Sequence, residues 1–125
     1  MLKSFVLTLV VLVAGVSVVA AKGKDVKLTG YIVDNACAAK MSKDASTAGD
    51  KAKGHPKACA QMQGCMDSGH QIYADGKWYK FDKASESQIG DVVKNEKSDK
   101  GLQVTVEGTL DGDTITVKSI KEVSS

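Results

Sequence analysis

The chain contains no arginine; all 17 of its basic residues are lysine. Lysine presents a point charge, whereas bidentate reading of phosphates and base edges needs a guanidinium fork. The lysines form no stripe, and beyond residue 21 sixteen of them face fifteen carboxylates. That balance excludes nucleic-acid binding and describes a solvated surface with protected strand edges. Also missing are a C-x-x-C pair, a His-x-x-x-His pair, a glycine-rich phosphate loop and a nucleophile–base–orienter set. No catalytic residue is therefore assigned, and the protein is read as non-enzymatic. No cysteine follows the N-terminal apolar run, which excludes a lipoprotein signal. At 125 residues the chain is too short for a β/α barrel or a second domain. There is no internal repeat.

The apolar run itself is present. Residues 1–21 carry one charge, Lys3, and Phe5 to Ala20 is apolar apart from Thr8, Gly15 and Ser17, ending in small residues. This is the pattern of a secretory signal peptide, with cleavage expected after Ala21. An uncleaved anchor is the alternative, the run being at the short edge of a spanning helix. Residues 22–125 are then one domain, periplasmic or secreted, with no membrane association after leader cleavage.

Val26–Val33 alternates and is rich in β-branched residues, so it reads as a strand, with Gly30 marking a close backbone approach. Residues 38–55 are dominated by Ala, Lys, Ser, Asp and Gly and read as a mobile insertion, with a possible short turn of helix at Cys37–Met41. Pro56 opens a helix expected to run to about Asp67 and stop at Gly69. On one uninterrupted helix His55, Cys59, Met62 and Met66 form a stripe, and Cys65 lies off it unless the chain bends. Residues 70–74 and 77–81 flank Asp75-Gly76, the favoured two-residue hairpin turn. Ser85–Gln88 resembles a capping box before a helix from Glu86 to Lys94. Leu102–Leu110 and Thr114–Val117 form a last hairpin with a bulge expected near Ser119, and residues 122–125 are expected to fray. This order predicts a β-rich, small five-stranded OB-like barrel with one or two short helices; a two-layer α+β sheet is the alternative.

Three motifs carry a resemblance. Thr29-Gly30-Tyr31-Ile32-Val33-Asp34-Asn35-Ala36-Cys37 fits T-G-Y-(I/V)-x-D-x-x-C. Cys65-Met66-Asp67-Ser68-Gly69 fits C-x-x-x-G ahead of a Tyr/Trp hairpin. Val104–Val117 fits a V-x-V-x-G-T-L-D-G-D-T-I-x-V hairpin. The chain resembles a group of small secreted bacterial proteins and, distantly, OB-fold proteins of the bacterial envelope. The resemblance covers most of residues 26–121 and implies a fold and an address outside the cytoplasm, without an activity. In that group the helix cysteines sit one turn apart, whereas Cys59 and Cys65 here are six apart.

Three cysteines in an oxidising compartment give one disulfide and one spare thiol, with Cys37, Cys59 and Cys65 as candidates and Cys37–Cys65 or Cys37–Cys59 as pairings. The alternative is a metal site drawn from Cys37, His55, Cys59, Cys65 and His70, suited to tetrahedral zinc. The thioethers of Met41, Met62 and Met66 would favour copper instead. A third reading is a binding module for an oligosaccharide or other small ligand, with Tyr31, Tyr73 and Trp78 as its face, or an envelope partner. The function expected is thus an exported binding or structural domain, its cysteines forming a stabilising disulfide or holding copper or zinc.

Overall fold

The structure, a computed structural model, describes residues 23–123; the expected leader lies outside the described residues, as do Ser124 and Ser125. In chain order the elements are β1 (Lys24–Asp34), α1 (Asn35–Met41), α2 (Ala45–Lys53), α3 (Lys57–Ala60), α4 (Gln63–Asp67), β2 (His70–Ala74), β3 (Lys77–Phe81), α5 (Glu86–Lys94), β4 (Leu102–Asp111) and β5 (Thr114–Glu122). The five strands close in a ring in the order β1-β2-β3-β5-β4. β1 pairs antiparallel with β2 on one side and β4 on the other. A short parallel pairing of β3 with β5, at Lys80–Thr114 and Phe81–Ile115, shuts the ring.

The local chemistry of the strands matches the expectation. Asp75 and Gly76 both have positive φ, 50° and 76°, as the tight hairpin turn requires. The β4–β5 register slips between Glu107 and Gly108, leaving Lys118 unpaired beside Ser119. Gly30 sits so close to the next strand that an added Cβ would overlap the Tyr73 carbonyl oxygen.

Strand alternation sorts the apolar residues into two cores. Ile32, Ile72, Ala74, Phe81, Leu102, Val104, Val106, Ile115 and Val117 fill the inside of the ring, and Ile89 and Val93 of α5 pack onto them. Val33 points the other way and meets Ala38, Met41 and Ala52, with Tyr31, Tyr73 and Trp78 at the margin. The last three residues of β1 are therefore buried on both faces.

Four expectations are corrected. The stretch read as a mobile insertion, 38–55, carries the helix α2, while α1 falls where the short helical turn at Cys37–Met41 was expected. Alanine is the best helix former, and Ala38, Ala48 and Ala52 bury almost completely, letting the helices approach the outer face of the sheet closely. The helix expected over 56–67 is broken: Met62 is extended, at φ −62° and ψ 136°, and separates α3 from α4. The stripe of His55, Cys59, Met62 and Met66 therefore does not exist. Ser85 makes no side-chain cap; its hydroxyl instead accepts from Val117 N–H at 2.8 Å, tying α5 to β5. Glu122, expected to fray, ends β5 and accepts from the backbone N–H groups of Lys97 and Ser98.

Candidate metal centre

The site forms where β1 runs into α1. Asp34 is the last residue of β1 and the cap of α1, its Oδ2 accepting from Cys37 N–H at 2.9 Å. The cap fixes Cys37 in the first turn. α4 is then pinned to the same turn by a set of hydrogen bonds around Ser68 and Gly69. Asn35 N–H donates to the Gly69 carbonyl at 2.9 Å. The Asn35 side-chain amide donates to the Ser68 carbonyl at 2.7 Å. Ser68 Oγ accepts from Ala36 N–H at 3.3 Å and donates to the Cys65 carbonyl at 2.6 Å. Because α4 begins afresh after Met62, this clamp brings Cys65 over Cys37. One carboxylate oxygen of Asp34 and the sulfurs of Cys37 and Cys65 lie within 4.8 Å of one another, close enough to share one cation.

The second oxygen of the Asp34 carboxylate meets His55, whose Nε2 lies 2.9 Å from Oδ1 with both side chains buried. A carboxylate only accepts, so Nε2 carries the proton. His55 itself is held by the 99–101 segment: Gly101 N–H donates to its carbonyl at 2.8 Å, and Lys57 N–H donates to the Asp99 carbonyl at 2.8 Å.

The electrostatics of the cluster follow from this packing. Burial alone would raise the Asp34 pKa, but the His55 hydrogen bond, the Cys37 N–H and the His55 charge outweigh it and hold the carboxyl at about 2. Asp34 is thus ionised throughout the physiological range. Burial and that neighbouring charge push the Cys37 thiol up to about 11, and the same two causes raise Cys65. Neither thiol is a ready nucleophile, because nucleophilic cysteines need a depressed pKa. A cation placed among the three groups reverses the repulsion, since coordinated thiols lose their protons.

Of the expected ligands, the structure brings Cys37 and Cys65 together and adds Asp34. His55 stands behind Asp34. Cys59, half-buried on α3, lies outside the three-atom group. His70 is buried elsewhere: its Nδ1 is 3.0 Å from Glu86 Oε2, its backbone N–H donates to Oε1, and Nε2 has no partner. Met62 is 58% exposed and Met66 packs against the inner core, so neither joins the cluster. Met41 packs in the outer core. None of the three cysteines is joined to another in the structure. Asp34 was absent from the expected ligand set, although its spacing to Cys37 in D-x-x-C is that of a capping side chain and a first-turn residue.

The aromatic residues Tyr73 and Trp78 pair across the hairpin, ring centroids 4.8 Å apart at 57°, against the outer core. Tyr31 lines a broad, polar cleft of about 660 Å³ with Asp50, Lys53 and Gln103. A smaller cleft of about 360 Å³ opens beside the cluster, with Cys37, His55, Met41 and Pro56 in its wall and Lys40 and Lys51 among its lining. Among the described residues no helix is long and apolar enough to cross a membrane. No family model, curated protein or solved structure matches the chain.

Proposed function

We propose that the protein is an exported, non-enzymatic metal-binding domain of OB-like architecture, holding one thiophilic cation on Cys37, Cys65 and Asp34. The observation that carries the reading is the convergence of two sulfurs and one buried carboxylate oxygen within 4.8 Å. Three groups that carry or can take negative charge are held together with no cationic side chain other than His55 bonded to them. Without a cation the two thiols stay protonated beside Asp34; a cation among the three groups would let them ionise and bind it. The strand order β1-β2-β3-β5-β4 supports the OB-like architecture.

Zinc is the preferred ion. With Met62 in solvent and Met66 in the core, the thioethers that would select Cu(I) are not part of the donor set. Two thiolates and a carboxylate suit zinc, which accepts sulfur and oxygen together and keeps a fourth position for another donor. Elemental analysis of protein purified without chelator tests this. One equivalent of zinc is expected, reduced to a weakly held fraction in Cys37→Ser and Cys65→Ser and retained in full in Cys59→Ser. One equivalent of copper would keep the site and change the ion.

A second reading is supported by the same two sulfurs. In an oxidising compartment Cys37 and Cys65 can join as a disulfide, leaving Cys59 as the spare thiol. Closing that loop would stabilise the fold by about 3 kcal/mol in the chain-entropy picture. Peptide mapping without reductant separates the readings: a cross-linked Cys37–Cys65 peptide with no bound metal favours the disulfide.

A further inference from the structure

The cleft beside the cluster says how a metal would arrive. Its lining is Cys37, Lys40, Met41, Lys51, Gly54, His55 and Pro56. Cys37 is therefore the one member of the three-atom group that the cleft reaches. The only formally charged side chains in that lining besides His55 are the two exposed lysines, and no carboxylate is among them. Lys40 is close enough that its charge acts on the Cys37 thiol. A hydrated dication approaching Cys37 through this cleft meets like charge. A small anion meets attraction, and the side chains of Met41 and Pro56 offer an apolar surface to its stem.

Resting on the metal-binding reading, we propose that the cleft is a docking site for a small anionic thiol complex of the metal, from which the cation passes to Cys37 and Cys65. The volume, about 360 Å³, is in the range of small-molecule sites. The exchange balances without any change of oxidation state. Each protein thiol gives its proton to a departing thiolate, two metal–sulfur bonds break and two form, so that Zn(SR)₂ and two cysteine thiols become the loaded site and two free RSH. On the metal thiolate replaces thiolate, and the burial and Asp34 charge that hold the protein protons in place are offset once the cation sits beside them. Asp34, as a third donor held beside the two sulfurs, then favours the protein side.

The test compares two zinc donors on the purified, reduced, metal-free protein: the anionic zinc–bis(glutathione) complex and hydrated zinc ion. Loading is followed by native mass spectrometry at successive times. The variant Lys40→Glu/Lys51→Glu reverses the cleft, and Lys77→Glu/Lys83→Glu, on exposed positions of β3 and the loop that follows it, makes the same change in net charge elsewhere. The cleft variant should load roughly tenfold more slowly from the glutathione complex, with the difference shrinking at high salt. It should load no more slowly than wild type from hydrated zinc, and the control variant should behave as wild type with both donors. Equal rates for the cleft variant and wild type from the glutathione complex, or equal slowing with both donors, would overturn the docking role while leaving metal binding in place. Failure of the wild type to load from either donor would remove the metal reading and this proposal with it.

Discussion

Asp34 ends a strand, caps a helix and orients an imidazole, all with one carboxylate. Its burial is possible because each oxygen is satisfied: Oδ2 by Cys37 N–H and Oδ1 by His55. Glu96 shows the opposite case. It is 3% exposed, its Oε1 has no partner, and burial, offset only in part by Lys57, raises its pKa to about 7. A carboxyl raised in the folded state favours folding below its unfolded value, about 4.5, and loses that contribution as pH rises through 7. Glu96→Gln should therefore be nearly neutral at pH 4 and stabilise by roughly 3 kcal/mol at pH 8, read from urea unfolding at the two pH values. An equal effect at both pH values would mean the charge is not what costs. Gly30 gives a second single-residue prediction. Gly30→Ala should destabilise by about 2 kcal/mol or more, because its Cβ would overlap the Tyr73 carbonyl, whereas Gly64→Ala has open space. Thermal unfolding of the two variants checks the contrast. Gly30 was legible from its place in an alternating strand. Asp34 and Glu96 were not, because an acidic residue in sequence carries no sign of which side chain will lie beside it.

At the scale of elements, the break at Met62 decides the site. An unbroken helix would turn Cys65 away from Cys37; starting α4 afresh lets the Asn35–Ser68–Gly69 hydrogen bonds choose its direction. No proline marks the break, and Gly64, where a bend was allowed for, lies inside α4, so periodicity ran straight through Met62. The strands and α5 were legible because their side chains alternate or repeat and their turns carry Asp-Gly. α2 was hidden, and α1 was legible only as a short turn, because their buried residues are mostly alanine, which gives little hydrophobic contrast. Two aspartates mark their starts, Asp34 and Asp44, the latter accepting from Ser46 N–H at 3.1 Å. Two predictions belong here. Met62→Ala should leave stability within about 0.5 kcal/mol of wild type, while Met66→Ala should cost about 2 kcal/mol, and neither should change metal content. Loss of metal in either variant at unchanged fold would return a thioether to the site. Ser85→Ala should cost about 1–3 kcal/mol, because it strands the buried Val117 N–H that the hydroxyl accepts from. Chemical denaturation gives that number, and a cost near zero would show that water replaces the hydroxyl.

The whole molecule is a closed ring of strands with a second, smaller core plastered on one flank. The ring is what the alternating patterns and hairpin turns specify. The flank carries the chemistry: α1 and α4 meet there, the outer core packs beneath α1, and the Lys40/Lys51 cleft opens there. The elements that read least clearly in sequence are therefore the ones that hold the candidate site, since a ligand set is selected for geometry and not for hydrophobic periodicity. The central claim is that two cysteines, 37 and 65, and one carboxylate share a cation. Zinc-edge X-ray absorption of the loaded protein tests it most directly. Two sulfur neighbours at about 2.3 Å, with oxygen or nitrogen completing the shell and one sulfur lost in Cys65→Ser, is the predicted result. A shell without sulfur, or a sulfur count unchanged in Cys65→Ser, would contradict it.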